Sequence, residues 1–127
     1  MKRLWATVTL ALMVVTAPVV AGERPFNAVA FDQLLAEGAP VVVDFHADWC
    51  PTCRAQSPIV QELASTPELR NVTILVANYD TELALRKTLN VAKQSTLVVF
   101  RRGKEVARST GDTSRDGLAA LLRKAIT

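Results

Sequence analysis

The sequence predicts an α/β domain, a three-layer α/β/α sandwich around a mixed sheet, in the order β-α-β-α-β-α-β-β-α. Two observations predict it. Apolar runs at 41–46 and 71–78 alternate with segments of helical spacing, which is typical of parallel strands covered on both faces. A tight turn at Arg102-Gly103 then separates two further strand-like runs, which indicates an antiparallel hairpin. Layers of this kind pack around one core.

The first two elements are short. Residues 24–27 are predicted to form the first strand. Phe31, Leu34 and Leu35 fit one face of a helix, which is expected to end before Gly38, a usual C-terminal stop.

The central strand and the helix that follows it carry the most information. The strand is predicted over Val41–His46 and the helix over 54–64, after Trp49. Pro58 lies inside that helix and is expected to kink it. The predicted apolar stripe of the helix consists of Ala55, Ile59 and Leu63.

The second half continues in the same order. A strand is predicted over 71–78, a helix over 81–89, and the two arms of the hairpin over 96–100 and 105–109. Ser114 is expected to cap the last helix. The apolar positions of that helix are Leu118, Leu121, Leu122 and Ala125.

The N-terminus is predicted to be a signal peptide over residues 1–21. Lys2 and Arg3 precede a short apolar segment, and small residues end at Ala21, where cleavage is expected. Residues 22–127 then form the mature domain, exported to the periplasm or an equivalent compartment. An uncleaved segment would instead hold the domain at a membrane.

Charge excludes little and suggests no nucleic-acid partner. The 127 residues carry a net charge of +3, which falls to +1 without Lys2 and Arg3. Basic residues near the hairpin turn are not interleaved with aromatic residues, as they are on many nucleic-acid surfaces.

Two cysteines dominate the chemistry that the sequence predicts. Cys50 and Cys53 are separated by two residues at a strand-to-helix junction, which places one sulfur at a helix N-terminus. The helix dipole and free N–H groups favour a thiolate there. A thiolate attacks a disulfide, and the second cysteine resolves the product. A purely structural disulfide is a weaker interpretation, because so short a loop restricts the unfolded chain little.

From about Phe31 to the C-terminus the chain resembles the thioredoxin family. Pro58, a Thr-x-x-x-Phe strand at 96–100, Gly103 and Gly111 agree with it. The family's motif Val-Asp-Phe-x-Ala-x-Trp-Cys-x-x-Cys is present as Val43-Asp44-Phe45-His46-Ala47-Asp48-Trp49-Cys50-Pro51-Thr52-Cys53.

The resemblance implies a role for each catalytic residue. Cys50 is the expected exposed nucleophile, and Cys53 the more buried resolving thiol. Asp44 matches a buried aspartate that exchanges a proton with the resolving cysteine. Burial raises the pKa of such a carboxyl towards neutrality, which suits a general base. Trp49, Pro51 and Thr52 are expected to bind substrate or tune the thiolate.

The chain departs from the family at two positions near Asp44. His46 stands where a tryptophan is common, and it is interpreted either as a packed side chain or as a group that tunes the thiolate and carries protons. Val76 replaces a lysine that often pairs with the aspartate. Without that cation, Asp44 is expected to be harder to ionise.

The largest departure is Ser95, which stands where the family has a cis proline facing the sulfurs. A trans bond is expected, because a cis bond before a non-proline residue costs about 3–4 kcal/mol. Gln94, Ser95 and Thr96 are predicted to bind substrate or tune the thiolate. The serine hydroxyl is expected to stabilise the Cys50 thiolate, and a proline in its place is expected to improve turnover of protein disulfides.

The direction of electron flow stays open at this point. A compact exported domain without an inserted helical domain is similar to reductases of protein disulfides that are fed by a membrane thiol transporter of the DsbD or CcdA type. A small disulfide-forming oxidase is the alternative enzyme. A metal-binding or docking module using Cys50, Cys53 and His46 is the alternative from another class. The preferred interpretation needs no cofactor and no metal.

Overall fold

The computed structural model describes Met13 and residues 22–127, so the rest of the predicted signal peptide lies outside the described residues. Within residues 22–127 the five strands are β1 (Glu23–Pro25), β2 (Val41–His46), β3 (Thr73–Asn78), β4 (Thr96–Arg101) and β5 (Lys104–Thr110). The four helices of this described part are α1 (Ala28–Ala36), α2 (Pro51–Ala64), α3 (Leu83–Thr88) and α4 (Arg115–Arg123). The predicted order of elements is confirmed.

The strands form one mixed sheet in the order β1-β3-β2-β4-β5. β3 pairs in parallel with both β1 and β2, whereas β4 is antiparallel to β2 and to β5. The register places Asp44 between Val76 on β3 and Leu97 on β4. The predicted parallel half followed by an antiparallel hairpin is therefore confirmed, and Asp44 lies on the central strand.

Alternate residues of β2 face two separate hydrophobic cores, as expected for a sheet covered on both sides. Val42 packs with Val60 of α2 and Leu118 of α4. Val43 packs on the opposite face, against the side of α1 and α3. Asp44 follows the alternation of Val42 and therefore lies on the face that α2 covers.

The hairpin and the last helix agree with their sequence signals. Arg102 and Gly103 both have positive φ, 52° and 79°, as a two-residue turn with the twist of a β-hairpin requires. Ser114 caps α4 by accepting the Gly117 N–H at its side chain, 3.1 Å away. No helix in the described part of the chain combines the length and apolar character that crossing a membrane requires.

Helix α2 differs from its prediction in two respects. It begins at Pro51 rather than Arg54, because proline is well suited to a first helical position. Its buried face is also rotated from the predicted stripe, with Ala55 exposed and Ile59 only partly buried. The buried residues are Cys53, Gln56, Val60, Leu63 and Ala64.

Candidate active site

The sulfur of Cys50 caps the N-terminus of α2. Cys50 has extended backbone angles, with φ −85° and ψ 115°, and its Sγ accepts the Cys53 N–H at 3.2 Å. Pro51 at the first helical position has no N–H, and the backbone donor that reaches the Cys50 sulfur is the N–H of Cys53. This geometry stabilises negative charge on Cys50.

The two thiols have opposite pKa shifts. Burial raises the pKa of Cys50, but hydrogen bonds from Cys53 and from the side chains of Gln94 and Ser95 outweigh it, and the net pKa is lowered. Burial and the side-chain hydrogen bond with Cys50 raise the pKa of Cys53 to about 11. Cys50 therefore ionises more readily than Cys53, which holds its proton at neutral pH.

The expectation that Cys50 is exposed is wrong. Cys50 is only 2% exposed and Cys53 1%, and both are free thiols. The pair forms a small buried cluster with Ala47, and Tyr79 packs against it. The resemblance implied an exposed Cys50, but Ala47 and Tyr79, in the loops after β2 and β3, pack against the pair.

Asp44 is the buried carboxyl of the site. It is 6% exposed, and its pKa is raised to about 6, chiefly because burial disfavours the charged form. His46 opposes this shift and Glu23 adds to it. A carboxyl with a pKa near 6 is ionised in most molecules at neutral pH, and it can still take up a proton there.

A cleft of about 430 Å³ opens beside Trp49, at the ends of β1, β2 and β3. Val76, the register partner of Asp44, lies in its wall together with His46. His46 Nε2 lies 3.0 Å from Asp48 Oδ1. The cleft therefore brings solvent close to the strand positions that flank Asp44.

The motif residues around the sulfurs have distinct surroundings. Trp49 is 56% exposed, and its indole N–H donates to Asp80 Oδ2 at 2.8 Å. Pro51 is exposed and Thr52 half-buried, both in the first turn of α2 between the two cysteines. The predicted substrate-binding roles of these three residues stay predictions.

Ser95 adopts an uncommon backbone conformation. No peptide bond is cis within the described residues, as predicted for this position, but Ser95 has φ 57°. Its N–H donates to Phe45 O at 2.8 Å, and its hydroxyl donates to Gln94 O at 2.6 Å. Since the hydroxyl has a single proton, it must turn from Gln94 O to donate to a Cys50 thiolate.

This geometry argues against the expected benefit of a proline at 95. Proline fixes φ near −65° and has no N–H, so it matches neither the φ of 57° nor the bond to Phe45. Ser95→Pro therefore requires the loop to be rebuilt, and the gain in turnover inferred from sequence does not follow.

Thr96 is the first residue of β4 and makes its side-chain contacts within the hairpin and the turn before it. Its hydroxyl donates to Lys93 O at 2.8 Å and also lies 2.8 Å from Thr110 Oγ1. Strand alternation puts it on the same face as Val98, which belongs to the core beneath α1 and α3. Its side chain shapes the turn before β4.

Gln56 is a buried polar residue of the site that the sequence interpretation missed. It is 2% exposed, one turn after Cys53, and its amide N–H groups donate to backbone oxygens of Ser95 and Asp112. The signal was present: Cys53, Gln56, Val60 and Leu63 have helical spacing. The predicted stripe of Ala55, Ile59 and Leu63 shares only Leu63 with this face and does not include Gln56.

The structure does not support the alternative metal site. Among the described residues, no group of three His, Cys, Asp or Glu side chains is arranged to hold a metal ion. His46 is instead directed at Asp48. Cys50, Cys53 and His46 therefore do not form the three-ligand set that the alternative needs.

The fold and the paired thiols agree with the comparison to known families. The family model described as thioredoxin matches residues 24–124. The chain belongs to the thioredoxin family. Like other thioredoxins, it is a thiol–disulfide oxidoreductase with a Cys-x-x-Cys pair, here Cys50 and Cys53.

Individual thioredoxins and their structures show the same relationship. The chain is 40% identical over 94 residues to a thioredoxin of Chlamydia pneumoniae, which covers 74% of this chain and 89% of that one. The crystal structure of Trxlp from Edwardsiella tarda is 41% identical, with a TM-score of 0.77, and covers 80% of this chain and 98% of that one. A mutant thioredoxin from Halobacterium salinarum is 25% identical, with a TM-score of 0.71, covering 88% and 96%.

The difference between the two thiols predicts selective alkylation. At pH 7, limiting iodoacetamide should modify Cys50 well before Cys53, because a thiol with a pKa of about 11 is thiolate in only roughly one molecule in 10⁴. Peptide mass spectrometry at partial modification measures the order. Urea-unfolded protein, in which the two rates should converge, is the control. Faster labelling of Cys53 in the folded protein would reverse the assigned roles.

The Ser95 hydroxyl is predicted to stabilise the thiolate. Ser95→Ala should raise the pKa of Cys50, because it removes one of the side chains that lower it. A thiolate absorbance titration of the reduced protein measures the midpoint. Ser65→Ala, an exposed serine at the far end of α2, is the control. A midpoint equal to that of the parent would show that the Ser95 hydroxyl does not act on Cys50.

Proposed function

We propose that this thioredoxin-family protein is an exported reductase of protein disulfides, supplied with electrons by a membrane thiol transporter of the DsbD or CcdA type. One observation carries the thiol–disulfide exchange chemistry: Cys50 Sγ accepts the Cys53 N–H at 3.2 Å at the start of α2, while the two thiols have opposite pKa shifts. One sulfur is thereby ready to attack, and the other remains protonated until it is needed.

In the first step, the Cys50 thiolate attacks one sulfur of a substrate disulfide. A bond forms between Cys50 and that sulfur, the substrate disulfide breaks, and the other substrate sulfur leaves as a thiolate that takes up a proton. The N-terminus of α2 stabilises the thiolate before attack. Because Cys50 is buried, the substrate either displaces the residues that cover its sulfur or reaches the sulfur from the side of the exposed Trp49.

In the second step, Cys53 resolves the mixed disulfide. Its thiol, with a pKa of about 11, must lose its proton to attack Cys50 at a useful rate. Asp44, with a pKa of about 6 and on the sheet face that α2 covers, is proposed to accept it. The Cys50–Cys53 disulfide forms and the second substrate thiolate leaves. The enzyme is oxidised by two electrons, and the substrate is reduced by two.

The cleft beside Trp49 is proposed as the route by which Asp44 exchanges its proton with solvent. Val76 lies in its wall where the family often has a lysine, and His46 lies where a tryptophan is common. These two side chains leave the strand ends beside Asp44 open to the cleft. His46 also lowers the pKa of Asp44, which keeps the carboxylate available near neutral pH.

The catalytic part of the proposal is tested by insulin reduction with dithiothreitol as the electron donor. The parent should accelerate precipitation of the insulin chains, and Cys50→Ser should be inactive because no nucleophile remains. The matched control is Ser57→Cys in the Cys50→Ser background. It restores the number of thiols to two, but neither thiol is at the N-cap of α2. Equal activity of parent and Cys50→Ser would remove the proposed nucleophile.

Export and the electron donor are proposed on the N-terminal pattern and the compact fold. The family match begins at residue 24, which leaves the basic start and apolar segment outside it. Protein recovered from an exported fraction should begin at Gly22, as N-terminal peptide mass spectrometry would show. In cells lacking the transporter, Cys50 and Cys53 should accumulate as the disulfide, as acid-quenched alkylation would show. A cytosolic chain that retains Met1, or a thiol state independent of the transporter, would contradict the proposal.

A further inference from the structure

Gln56 connects the redox helix to two loops that are distant in the chain. Its Nε2 donates to Ser95 O at 3.3 Å and to Asp112 O at 2.8 Å. It lies one helical turn after Cys53 and is 2% exposed. One buried side chain therefore joins the helix that carries both sulfurs to the loop that stands beside them.

The loop needs such a connection because Ser95 is held in a left-handed backbone conformation. A non-glycine residue with φ 57° is strained, and it persists only where its surroundings determine it. Two backbone bonds contribute, from Ser95 N to Phe45 O at 2.8 Å and from Gly111 N to Ser95 O at 3.0 Å. Gln56 adds the contact that comes from the redox helix.

Stability alone does not explain an amide at this position. Gln56 Oε1 is buried, and no donor within residues 22–127 reaches it. A buried acceptor without a partner destabilises the folded state, and this opposes the gain from the two bonds made by Nε2. An apolar side chain of similar size would avoid the loss and still fill the space between α2 and the sheet.

We propose that Gln56 is a positioning residue for disulfide exchange, which holds Ser95 in its left-handed conformation beside the Cys50–Cys53 pair. The hydrogen bonds of Gln56 make the Ser95 loop rigid, as a proline ring at that position would do through its covalent structure. The fixed loop then presents the backbone of Gln94 to an extended substrate segment, which pairs with it as an added strand. The inference rests on the proposed function, since it concerns how a protein disulfide docks.

Gln56→Met tests the inference, because methionine has similar length and no donor. The variant should leave only about a fifth to a tenth of the molecules with the loop in the docking conformation. KM for a protein disulfide should then rise by about 5- to 10-fold, whereas kcat should stay within about twofold of the parent. The rate with the small disulfide dithiobis(nitrobenzoate), which needs no strand pairing, should change less than about twofold. Gln61→Met, an exposed glutamine on the same helix, is the control and should match the parent.

A double-mutant cycle with Ser95→Gly separates positioning from general packing. Glycine adopts a positive φ without strain, so the loop then needs less support from Gln56. In the Ser95→Gly background, Gln56→Met should raise KM by less than about twofold. An undiminished rise in that background would show that Gln56 does not act by holding the conformation of Ser95, and would overturn the proposal.

Amide hydrogen exchange tests the same inference without any activity. The amides of Ser95 and Gly111 should exchange at least about 10-fold faster in Gln56→Met, because the loop that they hold opens more often, whereas Gln61→Met should leave them unchanged. Gln56→Leu serves for the same measurement if the methionine variant does not fold. Unchanged exchange in a folded variant would overturn the inference. A parent that fails to reduce insulin would instead overturn the proposed function.

Discussion

Cys53→Ser should convert the protein from a catalyst into a trap for its substrates. Cys50 still attacks and forms the mixed disulfide, but no internal thiol remains to resolve it. Well-oriented intramolecular groups reach effective concentrations of about 10⁵ M or more, whereas an added thiol acts at millimolar concentration. Insulin turnover should therefore fall by at least about 10³-fold, while a stable adduct accumulates.

The trapped species identify both the nucleophile and the substrates. Non-reducing electrophoresis followed by peptide mass spectrometry should show every adduct attached through Cys50. Cys50→Ser is the matched control, since it keeps one cysteine of the pair and should trap no substrate. Adducts attached through Cys53 in that control, at a comparable yield, would contradict the assignment of Cys50 as the attacking sulfur.

Asp44→Asn should make the protein more stable and less active. The pKa of Asp44 is about 6 in the folded state, against an ordinary value of 3.8. The folded state therefore holds the proton more tightly, and the free energy of unfolding falls as pH rises from about 4 to about 6. The loss amounts to about 3 kcal/mol, from about 1.4 kcal/mol per pKa unit. The asparagine variant should lack this loss above pH 6 and differ little from the parent below pH 4.

The same variant should resolve mixed disulfides slowly. A positioned general base contributes about 10²-fold or more, so the resolving step near pH 7 should slow by about that factor. Urea unfolding across pH and stopped-flow exchange measure the two effects. Asp32→Asn, an exposed aspartate on α1, is the control. A parental rate for Asp44→Asn at every pH would show that Asp44 does not accept the Cys53 proton.

The strands and the cysteine pair were predictable because their signals are local. Val41–His46 was predicted residue for residue, since a short run that is largely apolar on both faces is typical of a covered strand. The Cys50–Cys53 pair also follows from spacing and a strand-to-helix junction. Both features depend on a few adjacent residues and on little else in the chain.

The features that were missed depend on segments distant in sequence. The burial of Cys50 comes from loops that pack over the helix end, and the positive φ of Ser95 comes from bonds to Phe45, Gly111 and Gln56. Local propensity contains no information about these contacts. The buried face of α2 is different, because its helical spacing is visible in the sequence, but it includes the polar residue Gln56, which an apolar stripe leaves out.

The reduction potential of the Cys50–Cys53 couple is the most direct test of a disulfide reductase. Equilibration of the protein with glutathione buffers, followed by acid quenching and mass spectrometry, measures it. The account predicts a potential more negative than about −200 mV, in the range that extends to about −270 mV for thioredoxin. The lowered pKa of Cys50 stabilises the reduced form of the protein. We therefore expect the reduction potential to lie towards the less negative end of this range. A potential near −120 mV, as in the strongly oxidising DsbA, would contradict the account and make the protein a disulfide-forming oxidase.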